Sequence, residues 1–484
     1  MEIEFMKIFK IAALSLALSA CTLAPNYERP TVSTPEIPQT MSEEQVAAYD
    51  LAWEDYFIDP RLQSLIRTAL EHNVDLRMAT LNAEATRAQY GITFANLLPS
   101  IGASGNMNRA RTSEDIYGPT AGISEQYSVG LGVTAWELDL FGRVRSLNEA
   151  AKQSYFSAKH SADAAYITII AAVAKSYFAE KSAEETMRYA QETLKSREEA
   201  HRLSELSYKA GVISKIALNQ SLSQIESAKV SLASAQTARN AAHNALMVLV
   251  GGQFPENLPA GKPLTIQDQF SNHVLGGISS ELLNRRPDIR AAEASLLAAN
   301  AQIGAARAAF FPSIRLTTSI GSASSELDGL FKGPAATWSF APQITLPIFT
   351  WGANKANLDL AHARENIAVA QYEQTVQNAF KDVSDALNAQ KTIQDQASAQ
   401  DAVAQSSAEV LRLTEMRYKH GIASSLDRLD AQRNSFAAEM ALIQTRLQQL
   451  NNRVDLYKVL GGGLSTAHVE TSARVERNRQ PENQ

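Results

Sequence analysis

Residues 286–314 read "RPDIRAAEASLLAANAQIGAARAAFFPSI", and residues 73–101 read "NVDLRMATLNAEATRAQYGITFANLLPSI". The two stretches align without a gap, so that Pro312 matches Pro99. Each has a helical pattern that stops at its proline, because proline lacks the N–H that a helix interior requires. An internal repeat of this kind determines the organisation of the whole chain, and it predicts that one supersecondary unit occurs twice.

The repeat extends well beyond these stretches. Further along, Gly211 matches Gly421, and Leu249-Val250-Gly251 matches Val459-Leu460-Gly461. The first copy is three residues longer between its "PSI" and the next helix, which we interpret as a loop insertion. We assign repeat one to 61–252 and repeat two to 278–463. The linker 253–277 contains three prolines, and a segment of that length is expected to pack against the protein.

Each proline is followed by a change from helical periodicity to a period of two, which indicates strands. Apolar residues alternate with small polar residues in two hairpins per chain, at about 99–138 and 312–348. The alternating positions are Ile101, Ala103, Gly105 and Met107; Tyr127, Val129, Leu131, Val133 and Ala135; Ile314, Leu316, Thr318 and Ile320; and Trp338, Phe340, Pro342, Ile344 and Leu346. Each strand is long enough to cross a bilayer at a tilt, which takes roughly 9–11 residues.

Two interpretations of these hairpins compete: two hairpins packed on a soluble core, or strands of a membrane barrel. The small polar face suits a wet lumen, and the rest of the chain offers no other sheet, so we favour the barrel. Four strands cannot close around a pore, and open sheet edges are not tolerated in hydrocarbon. Several chains must therefore pool their strands, and the total must be a multiple of four.

The remaining sequence is helical. From Arg143 to Tyr208, and from Ala353 to Tyr418, there is no proline, which predicts about 100 Å of helix in each copy. The narrow apolar stripes favour closely packed coiled coils over a soluble bundle, whose helices typically run roughly 8–20 residues. Shorter helices are predicted at about 63–98, 214–249, 281–311 and 424–459.

The N-terminus has the pattern of a secretory signal peptide at 1–20, with Lys7 and Lys10 before a short apolar run. The residues Leu18-Ser19-Ala20-Cys21 resemble the bacterial lipoprotein box, which implies a diacylated Cys21 and a lipid-anchored segment 21–60. Cys21 is the only cysteine, so no disulfide can form within the chain. The start is Met1 or Met6. Residues 464–484 are expected to be a flexible tail, and no other segment is apolar enough to predict a transmembrane helix.

Composition argues against several functions. The net charge of -6 argues weakly against a nucleic-acid partner. The eight histidines are scattered and the sequence has no metal-ligand cluster or phosphate-binding loop. We therefore expect no enzyme activity and no cofactor.

A Tyr-Lys-x-Gly step ends each long helix. Gly211 and Gly421 are expected at the position after the helix end, and a serine three residues later can cap the next helix. Each copy is therefore a helical hairpin, and Val212, Ile213 and Ile422 would expose apolar surface at the two turns.

The second turn alone carries Asp427 and Asp430, where the first has Ala217 and Gln220. Asp427 can be explained as the acid of a capping box with Ser424. Asp430 lies outside that box, and residues three apart share a helix face. A pair of carboxylates on one face is therefore either a local helix start or a charged constriction.

Several segments resemble the outer-membrane factor family, in particular its nodulation-protein-T type of lipoprotein channel, such as those of Mtr-type multidrug pumps. The segments are "WELDLFGRVRS" (136–146), "NRRPDIRAAE" (284–293), "IGAARAAFFPSI" (303–314), "LPIFTWG" (346–352) and "LYKVLGGG" (456–463). The resemblance implies an α+β homotrimer in the outer membrane, whose twelve-stranded barrel continues as a coiled-coil tunnel into the periplasm. Such proteins are the exit ducts of tripartite multidrug efflux pumps.

The resemblance also implies partners and site residues. A periplasmic adaptor would contact the turns at Gly211, Val212, Ile213, Gly421 and Ile422, and an inner-membrane resistance-nodulation-division transporter would supply the cargo. Asp427 and Asp430 would form rings of carboxylates that gate the channel, with Arg417 and Tyr418 locking the closed state.

Two other functions remain open: a duct for metal ions or a secreted polypeptide, and a lipid-anchored scaffold without a pore. Methionine and histidine do not cluster in the sequence, which counts mildly against metal transport.

Overall fold

The computed structural model describes residues 22–32, 45–47, 51–117, 119, 121–271, 274–276 and 285–462. They form two compact units: residues 22–32, 81–160 and 290–375 belong to unit one, and the other described residues to unit two. The predicted signal peptide, Cys21 and the predicted tail 464–484 lie outside the described residues.

The elements follow the order expected of a repeat. Repeat one contains α2 (Pro60–His72), α3 (Val74–Ala95), β2 (Ile101–Arg111), α4 (Glu114–Tyr117), β3 (Ile123–Leu138), α5 (Arg143–Lys209) and α6 (Lys215–Val250). Repeat two contains α8 (Pro287–Ala308), β5 (Ser313–Ser324), β6 (Ala336–Thr345), α9 (Ala353–Lys419) and α10 (Ser425–Val459). Outside them lie β1 (Gln45–Ala47), α1 (Trp53–Tyr56), α7 (Ile266–Gln269) and β4 (Val274–Gly276). The predicted α+β class, with four long strands and two very long helices per chain, is confirmed.

The described residues of unit one form an antiparallel sheet in the order β2-β3-β5-β6. The two hairpins are joined by the pairing of β3 with β5, in which Leu131 lies opposite Ile320. Every residue of the outer strands β2 and β6 is exposed. The sheet therefore ends in two open edges.

The register gathers the apolar side chains on one face, because directly paired residues lie on the same side of a sheet. Leu131 and Ile320 are 54% and 68% exposed, and Trp338, opposite Ile320, is 79% exposed. The other face is lined by small residues. Gly132 is an example: a Cβ there would lie 2.7 Å from the carbonyl oxygen of Thr318, so a side chain has no room. The predicted alternation is confirmed along most of the sheet.

A β-bulge interrupts β3. Thr134 and Ala135 together lie opposite the single residue Thr317. Ala135 has a positive φ of 52°, and its N–H donates to the Thr317 hydroxyl at 3.1 Å. The predicted alternation through Ala135 is therefore wrong, and one of the three extra residues of repeat one is in this bulge instead of a loop. A bulge places two residues opposite one and bends the strand.

The segment 22–32 is fastened along α8 within unit one. The Arg29 guanidinium forms two hydrogen bonds with the Glu293 carboxylate, at 2.7 and 2.6 Å. Asn300 donates to the carbonyl of Pro25, and Arg307 donates to the carbonyl of Leu23. The segment therefore runs antiparallel to α8, with its beginning near the end of the helix that leads into β5.

Unit two has an aromatic core. The rings of Tyr56 and Tyr457 stack with centroids 4.4 Å apart. The buried Asp59 accepts hydrogen bonds from the Tyr177 hydroxyl at 2.8 Å and from the Lys262 N–H at 3.0 Å. Phe270 is also buried, so the described part of the linker packs against the protein as predicted. The parallel pairing of β1 with β4 is a second small sheet that the sequence did not predict.

The helix boundaries confirm most predictions and correct one. Both long helices contain 67 residues and end one residue beyond the predicted end. The single helix predicted at 63–98 is wrong, because the chain breaks at Asn73. The Asn73 side chain accepts from the Leu76 N–H at 3.0 Å and donates to the Leu249 carbonyl at 2.9 Å. Of the helix predicted at 281–311, the structure describes Pro287 to Ala308 as helix, and the predicted start at 281 lies outside the described residues.

One helix bears on the expectation that the chain has no transmembrane helix. The helix α5 is long and apolar enough to cross a membrane, by length and composition alone, with one 18-residue window. Half of that window is buried inside the protein. The buried side chains of α5 include Ile170, Val173 and Phe178, as in the core helix of a soluble protein.

Candidate gate at the helical turns

Both long helices end in the same hydrogen-bonded turn. The N–H of Gly211 donates to the Tyr208 carbonyl at 2.9 Å, and the N–H of Val212 donates to the Ser207 carbonyl at 2.8 Å. The second turn repeats this pattern at Gly421 and the following residue, at 3.0 and 2.8 Å. Each glycine has a φ of 74°. These are Schellman motifs, in which glycine takes the left-handed conformation after the helix end.

The helices that follow begin with a serine cap. Ser214 accepts from the N–H of Ala217 at 3.2 Å, and Ser424 accepts from the N–H of Asp427 at 3.1 Å. Only the second turn has the reciprocal bond, in which the Asp427 carboxylate accepts from the Ser424 N–H at 2.8 Å. That N–H holds the pKa of Asp427 below its ordinary value, with smaller contributions from the Ser424 hydroxyl and Arg417. The predicted capping box is therefore present.

The second aspartate has a different environment. Asp430 forms an ion pair with Arg433 on the same helix, and both side chains are about half exposed. A pair of this kind at the surface contributes little to stability, about 0.3–0.5 kcal/mol. Asp430 lies outside the capping box, and its carboxylate is paired with Arg433 at the protein surface.

A buried arginine lies between the two aspartates. The Arg428 guanidinium lies 4.3 Å from the centroid of the Tyr418 ring, and Arg428 is only 7% exposed. The contact joins the end of α9 to the beginning of α10. Sequence reasoning named Tyr418 and Arg417 and missed Arg428. Its only local signal is a cation inside "LDRLD" (426–430), because a contact across a turn is not visible in the spacing.

The two hairpins contact each other within unit two. Arg197 of α5 donates to the Gln224 carbonyl of α6 at 3.0 Å. Its guanidinium also lies 5.8 Å from the ring centroid of Phe436 in α10, and the Tyr189 ring stacks on Phe436. Arg197 and Phe436 lie at similar distances along the chain from the two turns. The turns therefore lie at the same end of unit two.

The turns expose apolar side chains. Val212 and Ile422 are 75% and 67% exposed, as predicted. Ile213 is only partly exposed, so it contributes less apolar surface than Val212 and Ile422. Sequence reasoning missed Ile216 and Leu426, which are 71% and 57% exposed. Their signal is an apolar residue two positions after each capping serine, where the first turn of a helix is solvated.

The sequence of this chain is similar to those of known proteins. A family model described as "Outer membrane efflux protein" matches residues 65–252 and 278–462. The chain is 43% identical over 479 residues to the "Probable efflux pump outer membrane protein TtgC" of Pseudomonas putida, covering 97% of this chain and 98% of the relative. It is 38% identical over 454 residues to the "Cation efflux system protein CusC" of Escherichia coli, covering 93% and 98%.

The fold is similar to that of a solved structure. The open state of the MtrE outer membrane channel of Neisseria gonorrhoeae superposes with a TM-score of 0.84 at 48% sequence identity. The match covers 92% of this chain and 99% of that channel.

Proposed function

Because this chain belongs to the outer membrane efflux protein family, we propose that it is the outer-membrane exit duct of a tripartite multidrug efflux pump. It conducts drugs and other toxic compounds passively to the exterior. The protein is located in the bacterial outer membrane.

The observation that carries the proposal is the sheet of unit one. Its apolar face is exposed to solvent, its second face is small and polar, and both of its edges are open. In a soluble domain, other parts of the protein would cover such an apolar face. In a membrane protein, the hydrocarbon of the lipid covers it. Open edges in hydrocarbon leave backbone groups without hydrogen bonds. Three chains with four strands each would close a twelve-stranded barrel wide enough for a channel.

The duct would work with two partner proteins. The exposed apolar residues at the two turns, together with Gly211 and Gly421, would receive the periplasmic adaptor, and an inner-membrane resistance-nodulation-division transporter would select the cargo. Ile213 contributes less of this surface than Val212, because it is partly covered. Acylation of Cys21 would add an anchor in the outer-membrane lipid.

The gate is proposed at the second turn. In a trimer, Asp427 and Asp430 would form two rings of three carboxylates around the tunnel mouth. Arg417 contributes to the lowered pKa of Asp427, and Tyr418 holds Arg428. The charge of Arg417 and the contact of Tyr418 with Arg428 support a role for these residues in fixing the position of the carboxylates.

The test is drug susceptibility. Deletion of the gene should lower the minimal inhibitory concentrations of structurally unrelated drugs, and expression of the chain from a plasmid should restore them. A deletion strain with unchanged susceptibility to every drug would reject the proposal. Heat-modifiable migration of the purified chain separates the channel from a scaffold without a pore.

The similarity to a cation efflux protein supports a second candidate function, the export of metal cations. The same deletion strain distinguishes the two. Sensitivity to metal cations with unchanged drug susceptibility would favour cations, and the reverse pattern would favour drugs.

A further inference from the structure

A cavity of about 310 Å³ lies in unit one, where the sheet meets the helices. It is lined by the ends of β3 and β6, the beginning of β5, and the turns that lead out of α8 and into α5. Pockets that bind small molecules begin at roughly 300 Å³, so the space suits one small ligand or part of a larger one. The candidate gate belongs to unit two, so the cavity is no part of it.

The charged strand residues of the cavity lie on the small polar face of the sheet. Arg315 lies opposite Glu137 across the seam of β3 with β5, and Ser313 lies opposite Thr345 of β6. Successive residues of a strand point to opposite faces. Because the neighbouring Leu316 is on the apolar face, Arg315 is on the polar one. In the proposed duct this face lines the lumen.

The bulge in β3 brings Glu137 to this face. Before the bulge, odd-numbered residues of β3 such as Leu131 lie on the apolar face. After it, even-numbered residues do, because Trp136 lies opposite Leu316. Without the extra residue, Glu137 would lie on the apolar face. Bulges often re-aim a side chain next to a functional site, and here the redirected side chain is a carboxylate that lines the cavity.

Both carboxylates of the cavity are already paired with arginines of α5. Glu137 accepts two hydrogen bonds from the Arg143 guanidinium, at 2.7 and 2.8 Å. Asp139 accepts from the backbone N–H groups of Val144 and Arg145, at 3.1 and 2.8 Å, and forms an ion pair with the Arg145 side chain. Each carboxylate side chain is only 13% exposed. The two ion pairs therefore cancel in charge and leave no carboxylate open to a further cation.

Arg315 carries the remaining charge of the cavity. It lies opposite Glu137 in the register, but Arg143 occupies that carboxylate. Within the described part of the chain, Arg315 forms no ion pair, and it is exposed. The cavity therefore has one uncompensated positive charge.

The wall beside this charge is apolar. The rings of Phe141 and Phe311 stack with centroids 4.8 Å apart and an angle of 19° between their planes. Pro312 and Pro347 also line the cavity. A guanidinium offers two parallel donors to a carboxylate or a similar anion, and the rings and prolines offer contact area to an apolar body. The two walls together suit a molecule with both parts.

We propose that this cavity is a transit site for anionic amphiphiles, compounds that carry a carboxylate or a sulfonate on an apolar body, and that Arg315 binds their anionic group. The inference rests on the proposed function, because the ligand would be one class of the cargo of that duct. In a trimer, three such sites would surround the lumen where the strands give way to the helices. A single exposed charge binds weakly enough to release its ligand, which conduction requires.

The site belongs to one of the two repeats only. The repeat counterpart of Arg315 is Gly102, and the counterpart of Glu137 is Pro347. The open charge therefore occurs once per chain, as the carboxylate pair of the candidate gate does. The two have opposite signs, so the gate would attract cations and the cavity would attract anions.

Block of the channel current tests the site. Purified protein in planar bilayers is exposed to naphthoate on the side of the strand loops, and separately to naphthamide, the neutral compound with the same rings. In Arg315→Gln the concentration of naphthoate that halves the conductance should rise about tenfold, because a charge-assisted hydrogen bond is lost. The value for naphthamide should not change. Arg315→Lys retains the charge without the two parallel donors, so an intermediate rise is expected.

The matched control is Arg111→Gln, which removes an exposed arginine from the apolar face at the far end of the same sheet. It should leave naphthoate block unchanged. A loss as large as that of Arg315→Gln would show that the total charge of the sheet is responsible, and would overturn the site. Unchanged naphthoate block in Arg315→Gln, or an equal effect on naphthamide, would also overturn it.

These failures leave the proposed function standing, because the channel still conducts. A purified chain that forms no conducting channel would reject the proposed duct, and the transit site with it.

The ion pair of Glu137 with Arg143 gives a second test, in which Arg315 stays in place. Arg143→Met releases the Glu137 carboxylate, which lies directly opposite Arg315 and can pair with it. Naphthoate block should then weaken as it does in Arg315→Gln. The double variant Glu137→Gln with Arg143→Met removes the released carboxylate and should restore the block. A double variant that remains as weak as Arg143→Met would contradict the assignment of Arg315 as the anion-binding group.

Discussion

Arg428 shows how a single side chain can organise the candidate gate. It lies between Asp427 and Asp430 in sequence, and its guanidinium packs on Tyr418 at the end of the preceding helix. An arginine over an aromatic ring contributes about 0.5–2 kcal/mol, with the higher values where the pair is desolvated. The pair therefore couples the position of the two aspartates to the end of α9.

The Tyr418 ring, and not its hydroxyl, should matter for the gate. We expect Tyr418→Phe to behave like wild type, because the ring that holds Arg428 remains. Tyr418→Leu and Arg428→Met should raise single-channel conductance and sensitivity to large antibiotics, and Arg428→Lys should restore much of the closed state. The measurement is conductance of purified protein in planar bilayers. Equal conductance of the Phe and Leu variants at position 418 would exclude this role.

The charges and the helix cap at Asp427 can be separated. The double variant Asp427→Ala with Asp430→Ala removes the two charges and the cap. In the double variant Asp427→Asn with Asp430→Asn the charges are also lost, but the amide oxygen at position 427 can still accept from the Ser424 N–H. We expect both double variants to have weaker cation preference and higher conductance than wild type. Ala217→Asp should not compensate for them, because the first turn has a different neighbour. Unchanged reversal potentials in both would show that the aspartates only cap the helix.

The lowered pKa of Asp427 predicts how its helix cap and its charge respond to pH. Its cap contribution is fully present above the ordinary value of 3.8 and is lost only as pH falls through the lower folded-state value. The contribution of Asp427 to cation preference, measured in an Asp430→Asn background, should therefore stay nearly constant from neutral pH down to about pH 5. A steep fall in that range would show that a different, higher-titrating group carries the selectivity.

Among the helices and strands, the features that depend on neighbouring residues in the sequence are predicted well. The features that depend on pairing between distant strands are not. The ends of α5 and α9 were predicted to within one residue, because Gly211 and Gly421 have a conformational requirement that is visible locally. The bulge at Ala135 was missed, because it depends on the Thr317 hydroxyl of another strand. The break at Asn73 had a local signal, since asparagine is a favoured N-cap.

The two faces of the sheet should differ in tolerance to charge. Phe340→Arg should cost about 2–4 kcal/mol if the residue lies near the bilayer midplane, because its side chain belongs to the apolar face. Ala341→Arg, its neighbour on the small polar face, should cost much less. The measurement is the yield of membrane-inserted trimer and its dissociation temperature in detergent.

Phe340→Arg and Ala341→Arg are a better-matched pair than Leu316→Arg and Thr317→Arg. The hydroxyl of Thr317 holds the bulge, so its substitution would also disturb β3. Equal losses for Phe340→Arg and Ala341→Arg would contradict the assignment of the two faces.

In the whole molecule, the sheet and the segment 22–32 are held independently of each other: the sheet by the membrane, and the segment by α8. The apolar face of four strands outweighs one lipid anchor in free energy. Arg29 and Glu293 also hold that segment on α8 without help from a lipid. The anchor is therefore not expected to determine whether the protein folds in the membrane.

Cys21→Ser should abolish acylation while the protein still inserts and assembles. The check is labelling with a radioactive fatty acid beside native gel analysis of outer-membrane fractions. Wild-type protein is the labelled control, and Glu293→Ala in the same background tests whether the fastening of segment 22–32 matters. Disappearance of inserted trimer from the Cys21→Ser strain would refute the expectation.

The inequality of the two helical turns has a genetic consequence. Had the two halves been identical copies encoded by one gene, each substitution would appear at six places around the proposed mouth. Because they are joined in one reading frame, Asp427 could arise while Ala217 stayed neutral. One codon therefore alters three positions at a time. Two unequal repeats in one chain thus permit a finer adjustment of charge than a ring of identical halves does.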